Sequence, residues 1–375
     1  MKQTVIVTDT KYRAAASIIR ELGRAHYKVI TPFVGSAIPA SARSKYVSER
    51  FTYVGDETNP RTGASALLAL ARERDAIIVP AGAKSTIALA AHRADSAPLT
   101  LICTEETLQR ANDKLAVAQL ARELNIRTPR ELDHSDVDAL RYPVIVKYVN
   151  GEGLGLVAAA RYSIARSRTE YDTAISRMRN GPTFVSEFIE GNGYGVSVLM
   201  DRKRVPVRIF CHERLREYPL TGGPSVMCRS IWNEAMARDA VKLLKALDFE
   251  GLAMVEFKGS PTDYALLEIN PRVWGSYPLS YLSGAGFAEA FVRAARGEEL
   301  PDALQACAPQ YKVGVRMQFF LSGARWAIAK AKQDSSPLPL LKYAGDIVNP
   351  AVHHGLWQWR DPLPALQYLR SLRDR

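Results

Sequence analysis

Two apolar runs, Leu252 to Lys258 and Ala265 to Asn270, each carry one glutamate where a core strand would carry an aliphatic residue. The polar link Gly259 to Asp263 is short enough to fold them into an antiparallel hairpin, which brings Glu256 beside Glu268. Two carboxylates that close repel each other unless a cation lies between them. Strict alternation sends Ala265, Leu267 and Ile269 to one face, and Leu266, Glu268 and Asn270 to the other. A carboxylate and an amide oxygen on one pleat suit a hard cation such as Mg2+, which commonly keeps waters and takes phosphate oxygens as further ligands. Pro271 ends the ladder and leaves Arg272 at the sheet's end, free to meet an anion in a bidentate fork. A single glutamate on a strand is ordinarily just solvated. It is the set Glu256, Glu268, Asn270 and Arg272 that follows ligand logic.

The first 108 residues alternate strand and helix signals. Strands are expected at 5–7, 28–34, 51–54, 76–80 and 99–103, with helices at 12–22, 62–74 and 83–92. That rhythm predicts a parallel sheet covered on both faces. Thr8 to Tyr12 follows the first strand in place of a glycine-rich phosphate turn, which disfavours a nicotinamide-dinucleotide enzyme.

A helix over 107–123, carrying Asn112, Asp113 and Lys114, leads into a compact, mostly antiparallel α+β module. Its strands are expected at 142–148, 156–161 and 184–190, with a helix at 169–178. Lys147 closes the first of these strands, directly before Gly151, Gly153 and Gly155. Glycines let backbone N–H groups approach an anion, and a lysine at the loop's base adds a point charge. It is not a Walker loop, since no Gly-Lys-Ser/Thr opens a following helix. Strands at 196–200 and 205–213 and a helix at 234–247 precede the glutamate hairpin, and a helix at 287–296 follows it. Beyond Pro301 the pattern loosens into a strand at 312–321, a short helix, a proline-rich linker near 335–339 and a tail with Trp357 and Trp359. The charged stretch from His212 to Ser225 ends in a glycine-proline loop and has two readings, a solvated hairpin or a mobile substrate loop with Arg214, Arg216 and Ser225 touching an acid.

At 375 residues, 47% of them hydrophobic, the chain can build two or three cored units. No apolar run approaches a membrane span and the amino terminus lacks a signal-peptide pattern, so a cytoplasmic location is expected. Cys103, Cys211, Cys228 and Cys307 are too scattered for a metal pair, and His353-His354 on a strand would face opposite ways. The net charge of +11 favours anionic partners. The basic residues are dispersed and no nucleic-acid motif accompanies them; a polyphosphate substrate, or a peripheral contact with anionic lipid, explains the excess as well as DNA or RNA would, and no nucleic acid is expected.

The order of elements over residues 1 to 300 resembles the ATP-grasp superfamily of carboxylate–amine and carboxylate–thiol ligases, which includes biotin-carboxylase-like and carbamoyl-phosphate-synthase-like ATP-binding folds. The resemblance implies an α/β and α+β fold. An amino-terminal parallel-sheet, Rossmann-like domain (1–108) would precede a two-lobed ATP-grasp fold with a small lobe (109–195) and a large lobe (196–300), then a carboxy-terminal extension (301–375). It implies ATP with Mg2+ or Mn2+ as cofactors. Lys114 and Lys147 would hold phosphates, the loop Gly151, Gly153 and Gly155 would close over them, and Glu187, Phe188 and Ile189 would receive the adenine. Glu190 stands where a ribose-binding acid is sought, although Gly193-Tyr194-Gly195 fills much of that stretch. Glu256, Glu268 and Asn270 match the metal ligands and Arg272 the arginine of the Asn-Pro-Arg motif, with Lys147 and Arg272 in the catalytic roles. The implied activity is activation of a small carboxylate as an acyl phosphate for attack by an amine or thiol, releasing ADP and phosphate. A phosphotransferase on the same scaffold and a non-catalytic nucleotide-binding regulator are the alternatives. A biotin-dependent carboxylase is disfavoured, since the chain has no lysine-bearing carrier segment. The expected partners are small-molecule carboxylate and amine substrates, with self-association left open.

Overall fold

The computed structural model describes residues 3–53, 63–133, 140–149, 154, 156, 160–220, 223–306 and 308–371. The chain opens with Thr4–Val7 (β1), Arg13–Arg24 (α1), Lys28–Val34 (β2), Val47–Tyr53 (β3), Ala64–Glu73 (α2), Ala76–Val79 (β4), Ala83–Ala91 (α3) and Arg93–Ser96 (α4). Among the described residues these strands form a four-stranded, all-parallel sheet in the order β3-β2-β1-β4. Val5 to Val7 and Ile77 to Val79 are buried on both faces, which is why they read as unbroken apolar runs. The strand expected at 99–103 does not form. Leu99 ends a 3-10 turn, and the next segment is tied to β4 through the Thr100 hydroxyl, which donates to the Ile78 carbonyl at 2.7 Å.

The single helix expected over 107–123 is two, Glu105–Asn112 (α5) and Lys114–Glu123 (α6). Asp113 breaks it by leaving helical geometry, and its carboxylate accepts from the N–H groups of Leu115 and Ala116 at 2.9 and 3.1 Å. The small lobe follows with Val144–Tyr148 (β5), Tyr162–Ala165 (β6), Arg168–Arg177 (α7) and Thr183–Glu187 (β7), an antiparallel sheet ordered β6-β5-β7. Of the strand expected at 156–161, residues 157–159 lie outside the described residues, and the described strand starts at Tyr162.

The large sheet takes Asn192–Met200 (β8), Pro206–Glu217 (β9), Ser225–Ile231 (β10), Glu234–Ala246 (α8), Gly251–Gly259 (β11) and Tyr264–Asn270 (β12). Then come Tyr277–Leu282 (α9), Phe287–Ala295 (α10), Arg316–Gln318 (β13), Phe320–Asp334 (α11), Leu338–Val348 (α12), Val352–His354 (β14) and Leu363–Arg370 (α13). Among the described residues it has seven strands in the order β12-β11-β8-β9-β10-β13-β14. The expected proline-rich linker is instead a helix start: Pro337 caps α12 and Pro339 lies in its first turn, where a missing N–H costs nothing. None of the helices among the described residues is long and apolar enough to cross a membrane.

Packing divides the molecule unevenly. Two large buried clusters each join the parallel sheet to the seven-stranded one. In the first, Ile6, Ile30 and Ile78 meet Val196, Val255 and Ile269. In the second, Val5, Ile18 and Leu22 meet Trp274, Tyr277 and Phe287. The small lobe keeps a core of its own from Val144, Val146, Ala165, Tyr171 and Val185.

Two buried polar ties reinforce the first division. The α10 amino terminus has no local side-chain cap, and Glu21 of α1 supplies one: Oε1 accepts from the N–H of Ala288 at 2.7 Å and of Glu289 at 3.2 Å, while the Tyr277 hydroxyl donates to Oε2 at 3.1 Å. Arg20, fully buried, donates from Nε to Asp361 Oδ2 at 2.8 Å and from Nη1 to the Leu356 carbonyl at 3.0 Å. Ser44 and the backbone N–H of Lys45 complete the cage around Asp361 at 2.7 and 2.9 Å. The carboxy-terminal segment is thereby fastened to the amino-terminal domain.

Candidate functional site

A cleft of about 320 Å3 lies between the small lobe and the large sheet. The small lobe contributes Ile145, Lys147, Tyr162 and Ile164, and the connection from β7 to β8 contributes Glu187, Phe188 and Ile189. The large sheet supplies the polar wall.

That wall is built from strand register. Glu256 of β11 and Glu268 of β12 are direct cross-strand partners, as the hairpin required. Next in the same row comes Gly195 of β8, then His212 of β9. A Cβ on Gly195 would come within 2.3 Å of the His212 ring, and one on Gly193 within 2.9 Å of the Arg214 side chain. The two glycines are therefore bare so that His212 and Arg214 can lie flat across β8. The Gly-Tyr-Gly stretch, which left a ribose-binding acid hard to place, is explained by this packing.

Arg214 reaches across the vacated surface to Glu256, Nη2 to Oε2 at 2.5 Å, and holds Glu217 through Nη1 at 3.2 Å. Lys114, aimed into the cleft by the break at Asp113, bonds Glu268 Oε2 at 2.8 Å. The Asn270 amide nitrogen donates to both carboxylates, at 3.0 Å to Glu256 and 3.3 Å to Glu268, while its oxygen accepts from Arg272 Nη2 at 3.0 Å.

Electrostatics separates the two acids. Burial raises the Glu256 carboxyl, an effect Arg214 only partly offsets, and the neighbouring Glu268 pushes it the same way. Burial would raise Glu268 too, but Lys114, Lys147 and the Asn270 amide outweigh it and hold the carboxyl down to about 2. Lys147 is buried, which pulls its ammonium down to about 8 against the attraction of Glu268, with Lys114 and Lys258 adding to the fall. His212 is pushed down to about 3 by burial and by Arg214, so it is neutral, with Nε2 3.2 Å from the Ser276 hydroxyl.

A hard divalent cation fits this wall. Two carboxylates converge on one face, where Lys114, Arg214 and the Asn270 N–H supply the positive charge a cation would bring, while the Asn270 oxygen is turned to Arg272. Among the described residues no third acid or imidazole converges with them, so phosphate oxygens or waters would complete the coordination.

The other expected residues fall as follows. Ser225 and Arg272 line the cleft. Glu187 lines it too, with its carboxylate turned to Arg130 at 3.0 Å, so what it offers a ligand there is backbone. Glu190 is exposed and outside the lining. Gly151, Gly153 and Gly155 lie outside the described residues. Arg216 is not in the cleft. Cys228 pairs with Arg214 and Met227 with Arg216, so Leu215 is an extra residue in β9 that reverses the side-chain parity. Arg216 consequently lies against the Trp326 ring at 4.3 Å and pairs with Asp346 at 2.5 Å.

A second bulge corrects the hairpin. Phe257 pairs with Leu266 and Glu256 with Glu268, leaving Leu267 extra. Leu266 therefore joins the core, and Leu267 joins Glu268 and Asn270 on the cleft side. Sequence reasoning also missed Arg13, Tyr162, Glu217 and Lys258, all of which line the cleft. Arg13 and Glu217 carried no periodic signal, while Tyr162 lay one residue past the strand expected at 156–161.

Comparison with known proteins agrees with this architecture. The model of the ATP-grasp domain family matches residues 111–276. The carbamoyl phosphate synthase large chain of Clostridium acetobutylicum is 23% identical over 248 residues, which cover 61% of this chain and 22% of that protein. The chain thus spans about a fifth of the length of that relative. Among solved structures, biotin carboxylase from Campylobacter jejuni superposes with a TM-score of 0.63 at 16% identity, covering 84% of this chain and 74% of that one. The L-amino acid ligase from Bacillus licheniformis gives 0.58 at 14% identity, covering 80% and 75%. The sheet order, the facing glutamates and the match over residues 111–276 lead to one conclusion: residues 111–276 match the ATP-grasp domain family, and the chain shares the fold of these ligases.

Proposed function

We propose that the protein is an ATP-dependent ligase that activates a carboxylate as an acyl phosphate and passes it to an amine. The observation that carries this reading is the direct pairing of Glu256 with Glu268 in a cleft that also holds Lys114, Lys147 and Arg272. Nucleotide binding alone would not call for paired acids with an arginine at the strand end. Ile145, Ile164, Phe188, Ile189 and Leu267 form the apolar end, suited to a purine, with backbone groups of the 187–189 connection beside it. Lys114 and Lys147 secure the phosphates as point charges. Glu256, Glu268 and Asn270 would hold Mg2+ or Mn2+, whose contribution is to neutralise charge on the phosphoryl oxygens during transfer.

In the first step a carboxylate oxygen of the acid bonds to the γ-phosphorus as the bond to the β,γ-bridging oxygen breaks, and ADP leaves. In the second the amine nitrogen bonds to the acyl carbon, the acyl–oxygen bond to phosphate breaks, and the amine loses a proton. Arg272 orients the carboxylate and stabilises the oxyanion that forms on attack. Arg214 holds Glu256 in place from β9.

Mg-ATP is expected to raise the unfolding temperature, and pooled acids, bicarbonate among them, combined with pooled amines are expected to elicit ADP and free phosphate in equal amounts. ADP without free phosphate, and a phosphorylated product by mass, would instead identify a phosphotransferase. Absence of any Mg-ATP stabilisation would reject the nucleotide reading itself.

A further inference from the structure

A second cavity, of about 760 Å3, adjoins the cleft, and Arg13 and Phe319 line both. Its walls come from the ends of α11 and α12, the segment 352–359 and α13, and they include Phe320, Val348, Trp357, Trp359, Tyr368 and Leu369. The volume falls in the range of small-molecule sites. Its titratable lining is one-sided: Arg13, Arg325, His353 and His354 are present, and no aspartate or glutamate is. Asp361, the nearby acid of this segment, is buried in its cage with Arg20 and Ser44.

Arg13 is the informative residue. It opens α1, and its guanidinium lies over the Phe319 ring at 3.8 Å and within 5.8 Å of the Tyr368 ring centre. Stacking engages the flat face of a guanidinium and leaves its N–H edge for an anion. Among the described residues that edge has neither a hydrogen bond nor a carboxylate. Burial lowers the arginine's pKa, so an arriving anion would relieve a desolvated charge.

We infer that this chamber receives the body of the acid substrate, an organic acid with an aromatic-sized or branched apolar body, and that Arg13 holds its carboxylate at the junction with the nucleotide cleft. The inference builds on the ligase reading for its chemistry but needs no turnover to be tested. The carboxylate sits in the cleft that Arg272 also lines, and the apolar remainder fills the space walled by Trp357, Tyr368 and Leu369. The wall is not a loose tail, because the Arg20–Asp361 cage fixes the segment that carries it. Acids too small to reach past Phe319 gain nothing from the chamber.

The test is calorimetric titration of the full chain with 3-phenylpropionate, indole-3-propionate and octanoate, against acetate and 3-phenylpropan-1-ol. At least one apolar acid is expected to bind about tenfold or more tightly than both acetate and the uncharged alcohol. Arg13→Gln is expected to weaken that acid by about tenfold, and Ser322→Phe, which narrows the chamber, to weaken it without affecting acetate. Equal binding of acid and alcohol, insensitivity to Arg13→Gln, or apolar acids no tighter than acetate would each overturn the inference. The wild-type titration needs no variant to fold. Mg-ATP thermal shifts run in parallel separate the two readings. A protein that binds nucleotide but no apolar acid sinks the chamber alone, and one that binds the acid but no nucleotide keeps the chamber and sinks the ligase.

Discussion

Glu268 and Gly195 illustrate two ways a single position governs the site. Glu268 faces Glu256 and is kept ionised by Lys114. Glu268→Ala is expected to lower phosphate release on the order of 10²–10³-fold, the scale of losing one pre-organised charge partner. The thermal unfolding transition of the apo protein should persist, and near-normal turnover in that variant would remove the acid from the mechanism. Gly195 acts by having no side chain, since its missing Cβ leaves room for the His212 ring. Gly195→Ala should cost about 1–3 kcal/mol in urea unfolding, the cost of an overpacked interior. Unchanged stability would mean that the ring has room to retreat.

At the scale of elements, the Glu21 cap on α10 gives a pH signature. Burial, only partly relieved by the helix N–H groups and Tyr277, pushes its carboxyl up to about 7. Between an unfolded value near 4.5 and this folded value, the native state holds the proton more tightly than the unfolded chain does. Stability therefore falls as pH rises from about 4.5 to 7, by roughly 3 kcal/mol if the shift is fully expressed. In Glu21→Gln that slope should flatten, which urea unfolding at a series of pH values would show. A slope unchanged by the substitution would assign it to other groups.

How much of this was legible follows element boundaries. The hairpin was readable because apolar runs and a five-residue polar link determine pairing and place Glu256 beside Glu268. Leu267 and Arg216 were not, because each sits next to a bulge, and one extra residue inverts the facing of everything beyond it. The helix break at Asp113 was visible in principle, since aspartate before an apolar helical run is a capping signal. Arg13 was illegible because its role exists only where α1, the start of α11 and α13 close on one another, and no local pattern encodes a meeting of segments so distant in sequence.

For the whole molecule, the carboxy-terminal segment depends on one buried ion pair. Asp361→Ala strands Arg20 without its partner, and removing one side of a buried pair typically costs about 3–5 kcal/mol. Limited proteolysis should then cut this segment first. An uncut segment and unchanged stability would show that apolar packing alone retains it. The distribution of cores sets a second dependence. The amino-terminal sheet and the seven-stranded sheet share both large interiors, whereas the small lobe owns its interior alone. The small lobe is thus packed as a unit apart from the rest of the protein. With nucleotide bound between the small lobe and the large sheet, amide exchange in β5 to β7 should slow on Mg-ATP addition while that of the two sheets sharing the large interiors stays as it was.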